Sequence, residues 1–181
     1  MHFFKFLLPS LLTVLLVEDT QSRRVNCIDS CCTFVESFPL RLNRLRSSYE
    51  KIRDYYEEKD ELDRALLNKT ILQKSFNSPY GCHAMNDVLH FYLDTVLPTA
   101  INENTRSFKT PIDEIGNIFQ ELKRDLIKCR NYLGCQKPFE ISSIRDSYQQ
   151  MKKKGMYKAM GELDMLFNYF EKYLASKRST H

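Results

Sequence analysis

An all-α fold of about six helices in one domain is predicted from three observations. Along Lys154–Tyr173 and one residue beyond, Tyr157, Met160, Leu163, Phe167, Phe170 and Leu174 recur at steps of three and four. That is the period of a helix buried along one side. Gly 5 and Pro 6 in 181 residues are few for the turns of an all-β chain. No alternating run of strand length, repeat or low-complexity tract is present.

The first residues read as a secretory signal, residues 1–22, leaving one domain over residues 23–181. Lys5 gives a weakly basic start, and Phe6 to Val17 is apolar apart from Pro9, Ser10 and Thr13. Thr20 and Ser22 stand three and one before a cut ahead of Arg23. The run is shorter than the ~20 residues a membrane span needs, so a secreted, extracellular protein without membrane insertion is expected. One cation and two acids leave with the signal, moving the net charge from +4 to +5. No basic block suggests a nucleic-acid arm. All six cysteines (Cys27, Cys31, Cys32, Cys82, Cys129, Cys135) follow the signal. An even count in an exported chain predicts three disulfides among the roughly 15 pairings six cysteines permit.

After a cysteine-rich leader, Leu42, Leu45, Tyr49, Ile52 and Tyr56 mark the first amphipathic helix. Leu62, Leu66, Leu67, Ile71 and Leu72 predict a shorter helix over Asp60–Leu72 after an irregular join. Asn77-Ser78-Pro79-Tyr80-Gly81 is a breaker. Met85, Val88, Leu89, Tyr92, Leu93 and Val96 form the next helix, which Pro98 should end. Residues 101–110 are polar and read as a loop. Thr110-Pro111 then opens a helix with Thr as cap; its stripe is Ile112, Ile115, Phe119, Leu122, Leu126 and Cys129. A connector, Gly134–Glu140, leads to Ile141, Ile144, Tyr148 and Met151, and Gly155 should separate that helix from the last one.

Five segments then resemble, in order, the interleukin-10 family of helical cytokines. They are Lys59-Asp60-Glu61-Leu62-Asp63; Gly81-Cys82 with Phe91-Tyr92-Leu93 and Val96-Leu97-Pro98; Cys129-Arg130 with Cys135; Lys154-Gly155 with Tyr157-Lys158-Ala159-Met160; and Asn168-Tyr169 with Glu171. The resemblance covers roughly 140 residues. It implies a six-helix cytokine bundle forming an intertwined, domain-swapped homodimer. It also implies Janus kinase signalling through class II cytokine receptor chains and restraint of macrophage inflammation. Two long-range disulfides are implied, from a first-helix cysteine to Cys129 and from Cys82 to Cys135. Counting back from Pro39 and Phe34 selects Cys31 for Cys129, whereas the Cys-Thr dipeptide and the count to Cys82 select Cys32; the remaining one would pair with Cys27. Cys27 and the doubled Cys31-Cys32 depart from the mammalian pattern and are similar to fish members. A length argument points to exchange as well. A connector of about six residues spans at most ~20 Å, less than the ~30 Å of a 20-residue helix, so folding the last helices back onto their own chain should be strained.

Carried over position by position, the resemblance implies a receptor face of Pro39, Leu42, Arg46, Arg53, Glu57, Asp60 and Asp63 with Lys158, Glu162, Asp164 and Glu171. Asn43 stands where the family commonly has a basic residue, and Gly161 offers no side chain. The plainer reading of those charges is a solvated helix face. Catalytic motifs are absent: no G-x-S-x-G, H-E-x-x-H or phosphate loop occurs, so no enzyme and no cofactor is expected. His83 and His90 could share a helix face, but two ordinary side chains are the simpler reading than a metal site. Lys152, Lys153 and Lys154 with Lys158 form a candidate glycosaminoglycan patch, against a solvated helix terminus. Asn68-Lys69-Thr70 is a glycosylation acceptor. The competing readings are a monomeric family cousin and a secreted disulfide-bonded carrier or inhibitor.

Overall fold

The computed structural model describes residues 27–135 and 142–178; the signal reading falls outside them. Every regular element among the described residues is helical. The first helix, α1 (Ser30–Glu50), starts on Asp29, whose carboxylate accepts from the backbone N–H of Cys31 and Cys32 at 2.7 and 2.9 Å. Pro39 sits inside α1 and cannot donate to the carbonyl of Val35. That carbonyl accepts instead from Arg178 at the far end of the chain, 3.3 Å away. Phe34, Val35, Phe38, Leu42, Leu45 and Tyr49 make the buried stripe. A break at Lys51-Ile52 leads to α2 (Arg53–Glu58).

The predicted helix over Asp60–Leu72 is not formed as expected. Residues 60–68 make a non-helical bend, and α3 runs from Lys69 to Phe76. The reason lies in the backbone donors. Asp60 takes the N–H of Leu62, and Glu162 takes those of Leu66 and Leu67, so side chains supply what a helix would. Asn68 then caps α3 by accepting from Ile71 at 3.1 Å.

Next come α4 (Gly81–Phe91), a π-helical turn over Tyr92–Val96 and α5 (Leu97–Ala100). Pro98 does not end the helix; it occupies the first turn of α5, where no N–H is needed. The polar stretch holds a 3-10 turn, Glu103–Phe108, closed by a capping box between Asn102 and Thr105. The long α6 (Lys109–Lys128) begins before Thr110, so Thr110 lies in its first turn rather than at its cap. Gly81 lies where the chain passes tightly under the last helix: a Cβ there would meet the Phe76 carbonyl oxygen at 2.5 Å and the Tyr173 ring at 2.7 Å. Gly81→Ala should therefore cost about 2–3 kcal/mol by overpacking, read as a lower denaturation midpoint.

The remaining helices are α7 (Ser142–Met151), α8 (Lys154–Gly161) and α9 (Leu163–Arg178). Gly155 lies inside α8, not between helices; the break falls at Lys152, which has φ 51. The expected single last helix is broken again at Glu162. Buried hydroxyls hold this second break: Tyr92 donates to the Ala159 carbonyl at 2.8 Å and Tyr49 to that of Gly161 at 2.9 Å. α1 packs between α6 and α9, and α2 packs on α8. At the centre Phe119 meets Tyr92, Phe167 and Phe170 edge-on, and Leu163, Phe167, Phe170 and Leu174 are fully buried.

Three disulfides join Cys31 to Cys129, Cys82 to Cys135, and Cys27 to Cys32. They tie α1, α4 and the end of α6 together, and none reaches residues 142–178. The length argument for exchange turns on the connector, whose residues 136–141 lie outside the described residues. Arg145 on α7 lies 3.5 Å from His90, and His90 is only eight residues along α4 from Cys82, which holds Cys135. In the single chain α7–α9 pack on their own α1–α6.

Candidate functional site

The positions implied by the resemblance converge on one side of the molecule, where α1, α2 and the bend meet α8 and α9, but they play unlike parts. Pro39 is exposed on α1. Leu42 is 3 % exposed and belongs to the core, so its side chain offers a partner no surface; its step of three to Leu45 puts it on the apolar stripe. Arg46 donates to Asn168 at 2.8 Å and to Glu171 at 2.9 Å, bridging α1 to α9 at the surface. Arg53 pairs with neighbouring Asp54 at 3.4 Å. Glu57 and Asp63 are exposed, and Asp164 is half-buried. Asn43 is exposed on α1. A side chain at Gly161 would rest on Asp60 and Glu57 at 3.8–3.9 Å, so glycine leaves that part of the bend uncovered.

Asp60, Lys158 and Glu162 are not free charges. Lys158 is only 7 % exposed, and its Nζ lies 2.6 Å from Asp60 Oδ2. Glu162 is half-buried; Oε1 accepts from Leu66 N–H at 3.1 Å and Oε2 from Leu67 N–H at 2.6 Å. Burial raises the Glu162 pKa, against the lowering effect of those two N–H groups and of Lys158. Two further ties flank them. Lys154 reaches Glu61 at 2.5 Å, and its hydrogen bond holds that carboxyl below its ordinary range. Arg64 donates to Gln150 at 3.2 Å. Gln150, Lys154, Lys158 and Glu162 thus form one row at four-residue spacing, clasping residues 60–67.

Sequence reasoning missed Gln150, Glu61, Arg64 and Asn168. The four-residue repeat of polar side chains beside the apolar stripe was the available signal for the row. The candidate glycosaminoglycan patch is thinner than expected, because Lys154 is engaged with Glu61 and Lys158 with Asp60, which leaves the exposed Lys152 and Lys153. His90 pairs with Asp94 at 2.7 Å, and no group of three or more His, Cys, Asp or Glu able to hold a metal is found among the described residues. Among them, too, no helix is long and apolar enough to cross a membrane. Asn68 is exposed; its Oδ1 caps α3, which leaves Nδ2 clear of that bond.

The described residues thus form a disulfide-tied, all-helical bundle with a charged, composite face. The chain belongs to the interleukin-10 family: the family model Interleukin 10 matches residues 7–176. It is 36% identical over 156 residues to interleukin-10 of Gallus gallus, covering 84% of this chain and 88% of the relative. It is 33% identical over 150 residues to interleukin-10 of Felis catus, covering 82% and 83%. The viral interleukin-10 homolog of Equine herpesvirus 2 is 32% identical over 150 residues, with the same coverage. The family is one of cytokines, not enzymes.

Proposed function

We propose that the protein is a secreted immunoregulatory cytokine that, as a homodimer, clusters class II cytokine receptor chains, activates Janus kinase signalling and limits macrophage inflammation. The observation that carries this reading is the joining of α1 to α9 through Arg46 and Glu171, both at positions the family resemblance assigns to the receptor. Mixed charges there suit steering and register, with few central contacts supplying affinity. Exchange of α7–α9 between two chains meets no covalent obstacle, since all three disulfides lie within residues 27–135. The face would then join α1 and the bend of one chain to α8 and α9 of its twin, and two-fold symmetry would present it twice. The disulfide-bonded carrier gains no comparable support.

Arg46→Ala and Glu171→Ala should each weaken binding to the soluble receptor ectodomain of the same species about tenfold. Thermal stability should change little, because an exposed pair contributes only about 0.2–1 kcal/mol. The unaltered mature protein should sediment as a dimer and induce receptor-dependent phosphorylation in leukocytes of its own species. Unchanged affinity in both variants would remove this patch from the interface. Absence of signalling, with tight binding of a lipid or a protease, would favour the carrier.

A further inference from the structure

We propose that Glu162 is a positioning residue: it shapes the bend over residues 60–68 through the amides of Leu66 and Leu67, and it makes no contact of its own with the receptor. This rests on the receptor reading above and deepens it by separating residues that touch the partner from those that present it. Both carboxylate oxygens of Glu162 are occupied, at 3.1 and 2.6 Å, by backbone donors from a segment about 95 residues away. The segment has no helix of its own to satisfy those donors, so these two amides depend on this one side chain. Lys158 and Asp60 fix the bend's other end at 2.6 Å, while Lys154 and Gln150 hold Glu61 and Arg64 at its rim. Between the two fixed ends Asp63 is exposed. The row therefore holds a loop in one shape around an outward-facing carboxylate. Preorganisation of this kind raises affinity by removing an ordering cost from the binding step.

Glutamine matches glutamate in size but turns an NH2 toward one of the two amides, so Glu162→Gln breaks half of the clasp without emptying the site. The test uses the mature protein and an immobilised receptor ectodomain of its own species, with Glu162→Gln, Asp63→Ala and the combined variant. Glu162→Gln is expected to lose about tenfold in affinity, mainly through a slower association rate. Hydrogen exchange at Leu66 and Leu67 should accelerate while the Tm shifts by only a few degrees. In the Asp63→Ala background the same substitution should cost less than twofold, because the bend no longer has its contact to present. A full tenfold loss in that background would mark Glu162 as a direct contact and overturn the inference. So would unaltered exchange at the two amides, or wild-type affinity once they are exposed. If Glu162→Gln folds poorly, Gln150→Ala, which releases only Arg64 at the rim, should cost about threefold by the same measurements, and no loss overturns the inference. Failure of the unaltered protein to bind the receptor at all would defeat the receptor reading itself. That outcome is distinct from a wild type that binds while Glu162→Gln binds equally well.

Discussion

Replacing Cys31 and Cys129 together by serine should lower the stability of the mature protein by about 4–5 kcal/mol on the chain-entropy account. The bridge closes a loop of 98 residues, joining the first turn of α1 to the end of α6. Opening it restores most of the conformational freedom of the unfolded chain between those helices. Cys129 is also buried, so a serine hydroxyl there adds a polar group to an apolar site. A loss of this size is a large part of the 5–15 kcal/mol that domains commonly have. Removing the Cys27–Cys32 bridge, whose cysteines are five residues apart, should cost only about 2 kcal/mol by the same account. Guanidinium unfolding of the three proteins at one protein concentration would measure both losses, with a steeper slope for the Cys31/Cys129 variant as its unfolded state expands. Equal losses for the two bridges would show that loop closure is not what the long bridge contributes.

The apolar period of the last helices and the breaker at residues 77–81 were legible, because both are local. Leu163, Phe167, Phe170 and Leu174 repeat at helical spacing and are buried, and Gly81 follows Pro79 where the chain turns. The bend at 60–68 was not legible. Leu62, Leu66 and Leu67 have a helix-compatible spacing, yet their amides or those of their neighbours are taken by Asp60 and by Glu162. Asp60 is a neighbour, but no local pattern records a partner as distant in sequence as Glu162. The break between α8 and α9 escaped notice for a related reason, since its carbonyls are held by hydroxyls of Tyr49 and Tyr92 from other helices. At the candidate face, resemblance named positions that come together on one side of the molecule but could not sort them. Leu42 and Lys158 occupy matching positions and are nevertheless buried, one as core and the other in an ion pair with Asp60. Sorting them needed geometry, because a position in a motif says nothing about which way a side chain is already committed.

Strong alkali should unfold the protein cooperatively, with tyrosinate absorbance appearing together with the loss of helix. Tyr49, Tyr56, Tyr92 and Tyr173 are buried, and burial pushes all four phenols well above their ordinary value. For Tyr49 the nearby charges of Glu57 and Asp164 add to the effect, and for Tyr92 that of Glu162 does. An unfolded tyrosine ionises near pH ~10, so between that value and the raised folded one the unfolded chain has lost protons that the folded chain keeps. Stability from these groups is thus fully present below pH ~10 and declines as pH rises through the folded values. Three of the hydroxyls also donate to carbonyls of Gly161, Ala100 and Ala159, and a phenolate cannot. Ionisation would therefore break the hydrogen bonds that hold the α8–α9 junction as well as place charge in the core. Rapid pH jumps followed by absorbance at tyrosinate wavelengths and by far-ultraviolet circular dichroism would test this, the jump being fast enough to precede alkaline damage to the disulfides. The two signals should share one transition above pH ~10, and Tyr92→Phe should reduce its absorbance amplitude. Tyrosinate appearing near its ordinary pKa in these four positions, with the helices intact, would mean that the phenols are open to solvent and that the junction is held by something else.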